Sequence, residues 1–223
     1  MAGAPSQNWI MRPDLDTLLR QLRLLVRHLR FCHPFDAGRR AQKRLAALET
    51  LFRETDRYLS RLGAEHWLTD GTLLGYHREG GIIPHDRDID IGAPAREFDR
   101  IWGGRGQLPP DFRMYDTSRR HRGPKLYVTY RGWEADIYFY EDQGERLCSF
   151  ADEPEGGYSK PFPKDYIYPL RRVSFLGEST WAPNRVEDYL RHAYGYIGRD
   201  AVQDKKTGYW HQRPGPAAGD RKD

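Results

Sequence analysis

The segment Ile82-Ile83-Pro84-His85-Asp86-Arg87-Asp88-Ile89-Asp90-Ile91-Gly92 constrains the fold more than any other part of the chain. Aspartates and isoleucines alternate with a period of two, the pattern of a strand whose two faces meet different surroundings. Asp88 and Asp90 share one face, with Asp86 at its entrance, while Ile89 and Ile91 turn toward a core. Two residues of strand advance about 6.6 Å. Carboxylates at that spacing can grip one hard cation or bridge two cations about 3.5–4 Å apart. Without a cation they repel one another, so Asp86, Asp88 and Asp90 are the candidate metal ligands.

A second alternating segment follows in Trp133-Glu134-Ala135-Asp136-Ile137-Tyr138-Phe139. If this strand pairs beside the first, Asp136 projects into the same site, as a metal ligand or as the base that deprotonates an acceptor hydroxyl. Glu134 is the fallback for that role. Upstream, Asp70-Gly71-Thr72 stands between a short strand and a short helix. There Gly71 permits close backbone approach, Thr72 offers a hydroxyl, and the helix N-terminus offers N–H groups to a phosphate. Asp70 is also a natural helix cap. Arg78, farther along that helix, is expected to reach the same anion. Of the basic run Arg119, Arg120, Arg122 and Lys125, Lys125 at a strand start is the expected diphosphate contact; the rest also reads as a solvated loop.

The aspartates admit other readings. Asp86-x-Asp88-x-Asp90 with Glu97 imitates a calcium-binding EF-hand loop, but Ile91 stands where that loop needs glycine, and Pro84 spoils the entering helix. Sugar-nucleotide glycosyltransferases also hold a metal with a DxD motif. A merely solvated acidic strand conflicts with the flanking isoleucines, which need burial.

The rest of the chain supplies the frame. Leu15, Leu18, Leu19, Leu22, Leu25, Val26 and Leu29 recur at helical spacing with arginines between them, and His33-Pro34 ends the run. A second helix is predicted over Ala37 to Leu62, with Leu45, Leu48, Leu51, Phe52, Tyr58 and Leu59 on its buried side and Gly63 closing it. Beyond these, the pattern predicts strands over Glu65–Thr69, Arg87–Gly92 and Arg172–Phe175, and a hairpin of Leu126–Tyr130 with Glu134–Tyr140 turning at Arg131-Gly132. Helices are expected over Gly71–Arg78, to Trp102 and over Val186–Tyr194. Gly103–Pro110 and Phe150–Pro163 read as loops, and the tail from Lys205 is expected to fray. The fold class is therefore α+β, a mixed sheet flanked by helices. It divides into a helical extension over 1–63, a catalytic domain over 64–204 and a tail over 205–223.

Composition narrows the partners. A net charge of +4 spread over 223 residues, with no dense lysine tract or zinc-finger spacing, argues against nucleic acid. No apolar run nears the roughly 20 residues that cross a bilayer, and Met1 to Met11 lacks a secretory core. Cys32 and Cys148 are far apart and suit a reducing compartment. A cytoplasmic protein is expected, with peripheral contact at the inner membrane face through the first basic helix as an open option.

Asp70-Gly71-Thr72-Leu73-Leu74-Gly75, then Arg78, Gly80, Ile82-Ile83-Pro84 and Asp86-Arg87-Asp88-Ile89-Asp90, resembles the signature of the LicD/fukutin family of the nucleotidyltransferase superfamily. Asp136 before Ile137 resembles the family's later strand aspartate, and Ala182-Pro183-Asn184, Tyr189-Leu190 and Tyr194-Gly195 its C-terminal pattern. The chain departs from it at His85, where tryptophan is common, and at Tyr76-His77. The resemblance implies a nucleotidyltransferase-like mixed sheet. It also implies transfer of a phospho-alcohol, phosphocholine- or alditol-phosphate-like, from a CDP-linked donor to a glycan or other hydroxyl acceptor, releasing CMP. By position, Asp86, Asp88 and Asp90 would bind Mg²⁺ or Mn²⁺, and Asp136 would be catalytic with Asp88 and Asp90. Two alternatives share the fold: transfer of a nucleoside monophosphate from an NTP with release of pyrophosphate, and a non-catalytic nucleotide- or glycan-binding protein.

Overall fold

The computed structural model describes residues 37–121, 123–149 and 161–214. The predicted first basic helix, residues 150–160 of the predicted loop, Arg122, Cys32 and the chain end from 215 lie outside the described residues. Two compact units divide the chain, Met1–Gln42 and Lys43–Asp223. In the first, the described residues open helix α1 (Ala37–Arg61).

In the second unit α1 continues and buries Leu48, Leu51, Phe52, Tyr58 and Leu59 of the predicted apolar stripe, while Leu45, expected with them, is only half-buried near the start of the helix. Gly63, at φ 62°, closes the helix, and the Ala64 N–H returns to the Leu59 carbonyl at 3.0 Å. The chain then enters a seven-stranded sheet of order β1-β2-β5-β4-β3, with β6 on β5 and β7 on β6. Its members are β1 (Trp67–Leu68), β2 (Asp88–Pro94), β3 (Arg113–Asp116), β4 (Lys125–Tyr130), β5 (Trp133–Asp142), β6 (Arg146–Ser149) and β7 (Phe162–Pro163). Helix α2 (Asp70–Glu79) joins β1 to β2. Between β2 and β4 lie α3 (Phe98–Gly103) and α4 (Ser118–His121). The two-residue β1 is shorter than the predicted strand, and the predicted loop after Trp102 contains a 3-10 turn, Gly104–Gln107.

One face of the sheet is core: Ile89 and Ile91 of β2, Ala135, Ile137 and Phe139 of β5, and Leu126 and Val128 of β4 are all fully buried or nearly so. The alternation that buries them sends the intervening polar residues to the opposite face. Trp67 crosses Gly92, its register partner, so closely that a Cβ there would lie 2.4 Å from the indole nitrogen. Only glycine fits that crossing.

Beyond the sheet, β8 (Arg171–Phe175) and β9 (Glu178–Ala182) form a hairpin whose second strand has no counterpart in the sequence reading. Helix α5 (Val186–Tyr194) falls where predicted. The tail expected to fray from Lys205 is instead paired as far as Gln212: β10 (Ala201–Gln203) and β11 (Trp210–Gln212) run antiparallel. The Asp204 carboxylate accepts the Lys206 N–H at 2.8 Å and the Thr207 hydroxyl at 3.0 Å, which tightens the turn. Among the described residues no helix is long and apolar enough to cross a membrane.

Candidate active site

Parallel pairing of β2 with β5 assembles the polar face. Asp88 stands opposite Glu134, Asp90 opposite Asp136, and Gly92 opposite Tyr138. Because β4 pairs antiparallel to β5, Tyr127 stands level with Asp136, and Lys125 with Tyr138. The pairing on which Asp136 depended is therefore present, and it brings two carboxylates side by side on neighbouring strands.

Asp90 is the buried centre of the group, 8% exposed. Its backbone N–H donates to the Thr72 hydroxyl at 2.8 Å, and its Oδ2 accepts the Gly71 N–H at 3.0 Å. Gly71 and Thr72, expected to face a phosphate, are thus engaged with Asp90. A Cβ on Gly71 would stand 3.0 Å from Asp90 Oδ2, tight enough that the carboxylate would have to shift by a few tenths of an ångström, whereas the 3.8 Å to Asp86 Oδ2 is ordinary contact. Burial holds Asp90 well above the usual carboxylate range, and the charges of Asp70, Asp88, Asp136 and Asp86 push the same way. Burial, then the charge of Asp88, raises Asp86 to about 7, against a lesser downward pull from Arg44.

Asp70 does not cap α2. It begins the helix with φ 42°, in the left-handed region that non-glycine residues adopt at a cost, and it is half-buried. Burial raises it to about 6; the hydrogen bond from Tyr189 and the charge of Lys125 pull down, and Asp136 pushes up. Thr69 holds this junction from beneath. Its hydroxyl meets those of Tyr189 at 2.6 Å and Tyr140 at 3.1 Å, and the Tyr189 hydroxyl reaches Asp70 Oδ1 at 3.3 Å.

Lys125 lies within this group. Its Nζ is 3.2 Å from Asp136 Oδ2 and 3.9 Å from the centre of the Tyr138 ring. The Tyr138 hydroxyl donates to the same carboxylate oxygen at 3.3 Å. The other oxygen, Oδ1, is buried with no hydrogen-bond partner. Burial, followed by the charges of Asp90 and Asp136, pushes the Tyr138 phenol far above its ordinary range, so it remains a donor.

Arg78 is the sequence candidate that the structure keeps apart. It lies eight residues along α2 from Asp70, about 12 Å at 1.5 Å per residue. Its Nε donates to the Ile197 carbonyl at 2.6 Å, which ties α2 to the segment after α5. The side chain expected to share an anion with the start of α2 is thus engaged, through Nε, at the other end of the helix. Arg44 of α1, unremarked in the sequence, supports the site instead: it donates to the Pro84 carbonyl in the loop that carries Asp86, and its Nε is buried without a partner. Tyr189 and Tyr194 of α5, noted in the sequence only as part of a C-terminal pattern, had been given no place in the site. Burial raises both phenols and the nearby aspartates raise them further, so α5 walls the carboxylate group.

The described residues close no cage of three or more acidic, histidine or cysteine side chains around one point. They offer hard oxygen donors on one strand, excess negative charge against the single lysine ammonium of Lys125, and the unpartnered Asp136 Oδ1. That donor set fits Mg²⁺ or Mn²⁺, which bind through one or two carboxylates and take their other ligands from water and phosphate.

Residues 63–185 match the family described as LicD/FKTN/FKRP, nucleotidyltransferase domain. A Rickettsia prowazekii protein, RP689, is 41% identical over 153 residues, 68% of this chain and 55% of its own length. Ribitol-5-phosphate transferase FKTN of Mus musculus is 25% identical over 165 residues, 70% of this chain and 33% of its own length. Ribitol 5-phosphate transferase FKRP of Homo sapiens is 28% identical over 155 residues, 64% of this chain and 31% of its own length. The chain thus spans between about a third and just over half of the length of these relatives. Among solved structures, the lincosamide antibiotic adenylyltransferase LnuA superposes with a TM-score of 0.46 at 14% identity, over 71% of this chain and 90% of that one. That likeness is too slight to bear on chemistry.

Proposed function

The chain belongs to the LicD/FKTN/FKRP nucleotidyltransferase-domain family, and on that premise we propose that it transfers a phospho-alcohol from a CDP-linked donor to a hydroxyl acceptor, releasing CMP. The observation that carries this reading is Asp136: level with Asp90, fixed through Oδ2 by Lys125 and Tyr138, and buried with Oδ1 unpartnered. An oxygen so held suits a base that takes the proton of an incoming hydroxyl. The acceptor oxygen bonds to the distal phosphorus as the bond from that phosphorus to the bridging oxygen breaks, and the bridging oxygen leaves with CMP. Asp86, Asp88 and Asp90 would hold Mg²⁺ or Mn²⁺, whose charge offsets that of the phosphates. Lys125 keeps Asp136 aimed and adds the local positive charge. The two relatives named above are ribitol 5-phosphate transferases, which favours an alditol phosphate as the transferred group.

The family's description as a nucleotidyltransferase domain favours one rival, transfer of a nucleoside monophosphate from an NTP. Incubation with CDP-ribitol, CDP-glycerol, CDP-choline and NTPs, each with Mg²⁺ or Mn²⁺ and read by ³¹P NMR, separates the two. CMP released from a CDP-alcohol, and lost in Asp136→Asn and Asp90→Asn proteins that still melt cooperatively, is the expected result. Pyrophosphate released from an NTP, with every CDP-alcohol inert, would overturn it.

A further inference from the structure

The row of side chains that begins with Asp90 and Asp136 does not stop at Asp136. Tyr127 of β4 is the register partner of Asp136, and Tyr115 of the edge strand β3 is the register partner of Tyr127. All four lie on the polar face, since directly paired residues share a face. The two phenol rings are stacked, with centroids 5.0 Å apart and planes 14° from parallel. Tyr127 is buried at 5% exposure, whereas Tyr115 is only half-buried. A stack of two rings therefore leads outward from the carboxylates and ends on the half-buried Tyr115 at the sheet edge.

We infer that Tyr115, backed by Tyr127, is the stacking platform for the base of the donor nucleotide. Strands lie about 4.8 Å apart, which sets Tyr115 about 10 Å from Asp136. That span suits a nucleoside whose phosphates lie by the carboxylates and whose base reaches the edge of the sheet. Every base has a π-face, so a stacked ring binds it without reading its hydrogen-bonding edge. Packing alone accounts for the Tyr115–Tyr127 contact. It does not account for placing the less buried member of an aromatic pair in line with Asp90 and Asp136 on the polar face. This inference rests on the reading of the chain as a nucleotide-dependent transferase, and it adds the residue that grips the base.

Calorimetric titration of the full chain with CMP and with ribose 5-phosphate, in Mg²⁺, tests it without turnover. Tyr115→Ala should weaken CMP binding about ten-fold and leave ribose 5-phosphate unchanged. Tyr115→Phe and Tyr115→Trp should bind CMP as the parent does or more tightly. With a CDP-alcohol donor, Tyr115→Ala should raise KM and hold kcat. CMP bound equally by parent and Tyr115→Ala, no CMP bound by the parent, or an equal loss for both ligands in Tyr115→Ala would each overturn the platform. Absent turnover with Tyr115-dependent CMP binding would instead reject the phospho-alcohol reaction and leave the platform standing.

Discussion

Gly71 is where a single methyl group decides the state of the site. Its N–H donates to Asp90 Oδ2, and an added Cβ would meet that oxygen at 3.0 Å. Gly71→Ala should therefore displace the Asp90 carboxylate and lower kcat at least ten-fold, while thermal stability falls by only about 1 kcal/mol. Kinetics and a melting curve on the same preparation check both; unchanged kcat would remove Gly71 from the site. Much at this scale was legible. Alternation in Ile82–Gly92 and Trp133–Phe139 set Asp88, Asp90 and Asp136 apart from their apolar neighbours, and burial of Ile89 and Ile137 bears that out. The partners were not legible. Gly71 and Thr72 read as open to phosphate because their engagement with Asp90 is a long-range contact no local pattern encodes. Tyr189 reaches Asp70 from more than a hundred residues away, and its place in the C-terminal pattern did not say which residue it meets.

Elements with a strong period were read well, and short ones were not. α1 follows its apolar stripe to the predicted Gly63 end, α5 falls over its predicted span, and the β4–β5 hairpin turns at Arg131-Gly132 as its sequence proposes. β3, β6, β7 and β9 span two to five residues, too few to establish a period against their loops. The hairpin carries a testable fault. Arg131 has φ 49° and Gly132 φ 82°, the two left-handed residues of a tight hairpin turn, and arginine is poorly suited to the first. Arg131→Asn should stabilise the protein by about 0.5–1 kcal/mol, a gain of roughly 1–4 °C in Tm. A Tm equal to or below the parent's would show that the Arg131 side chain, 5.0 Å from the Tyr130 ring centre, outweighs the backbone strain.

Over the whole molecule, the clustered carboxylates set a balance between stability and chemistry. Asp90, Asp86 and Asp70 are each raised by burial, and neighbouring negative charge adds to it, so the ligand-free protein carries this repulsion in its folded state. Saturating Mn²⁺ should relieve it. At a hundred times Kd the gain is about 2.7 kcal/mol, or roughly 5–11 °C in Tm. Asp90→Asn should melt above the parent in chelator and respond to Mn²⁺ by less than half as much. Equal shifts in the two proteins would sink the assignment of Asp90 as a ligand.

The pairing of Lys125 with Asp136 has a consequence for how the chain folds. Both residues belong to one hairpin, closed by a two-residue turn, so the lysine can meet the aspartate through local contacts alone. β2 joins β5 only after the chain has looped back over α3, β3 and α4. The hairpin can therefore match the Asp136 carboxylate to an ammonium by local contacts before β2 docks, which would lessen the repulsion that Asp90 meets opposite Asp136.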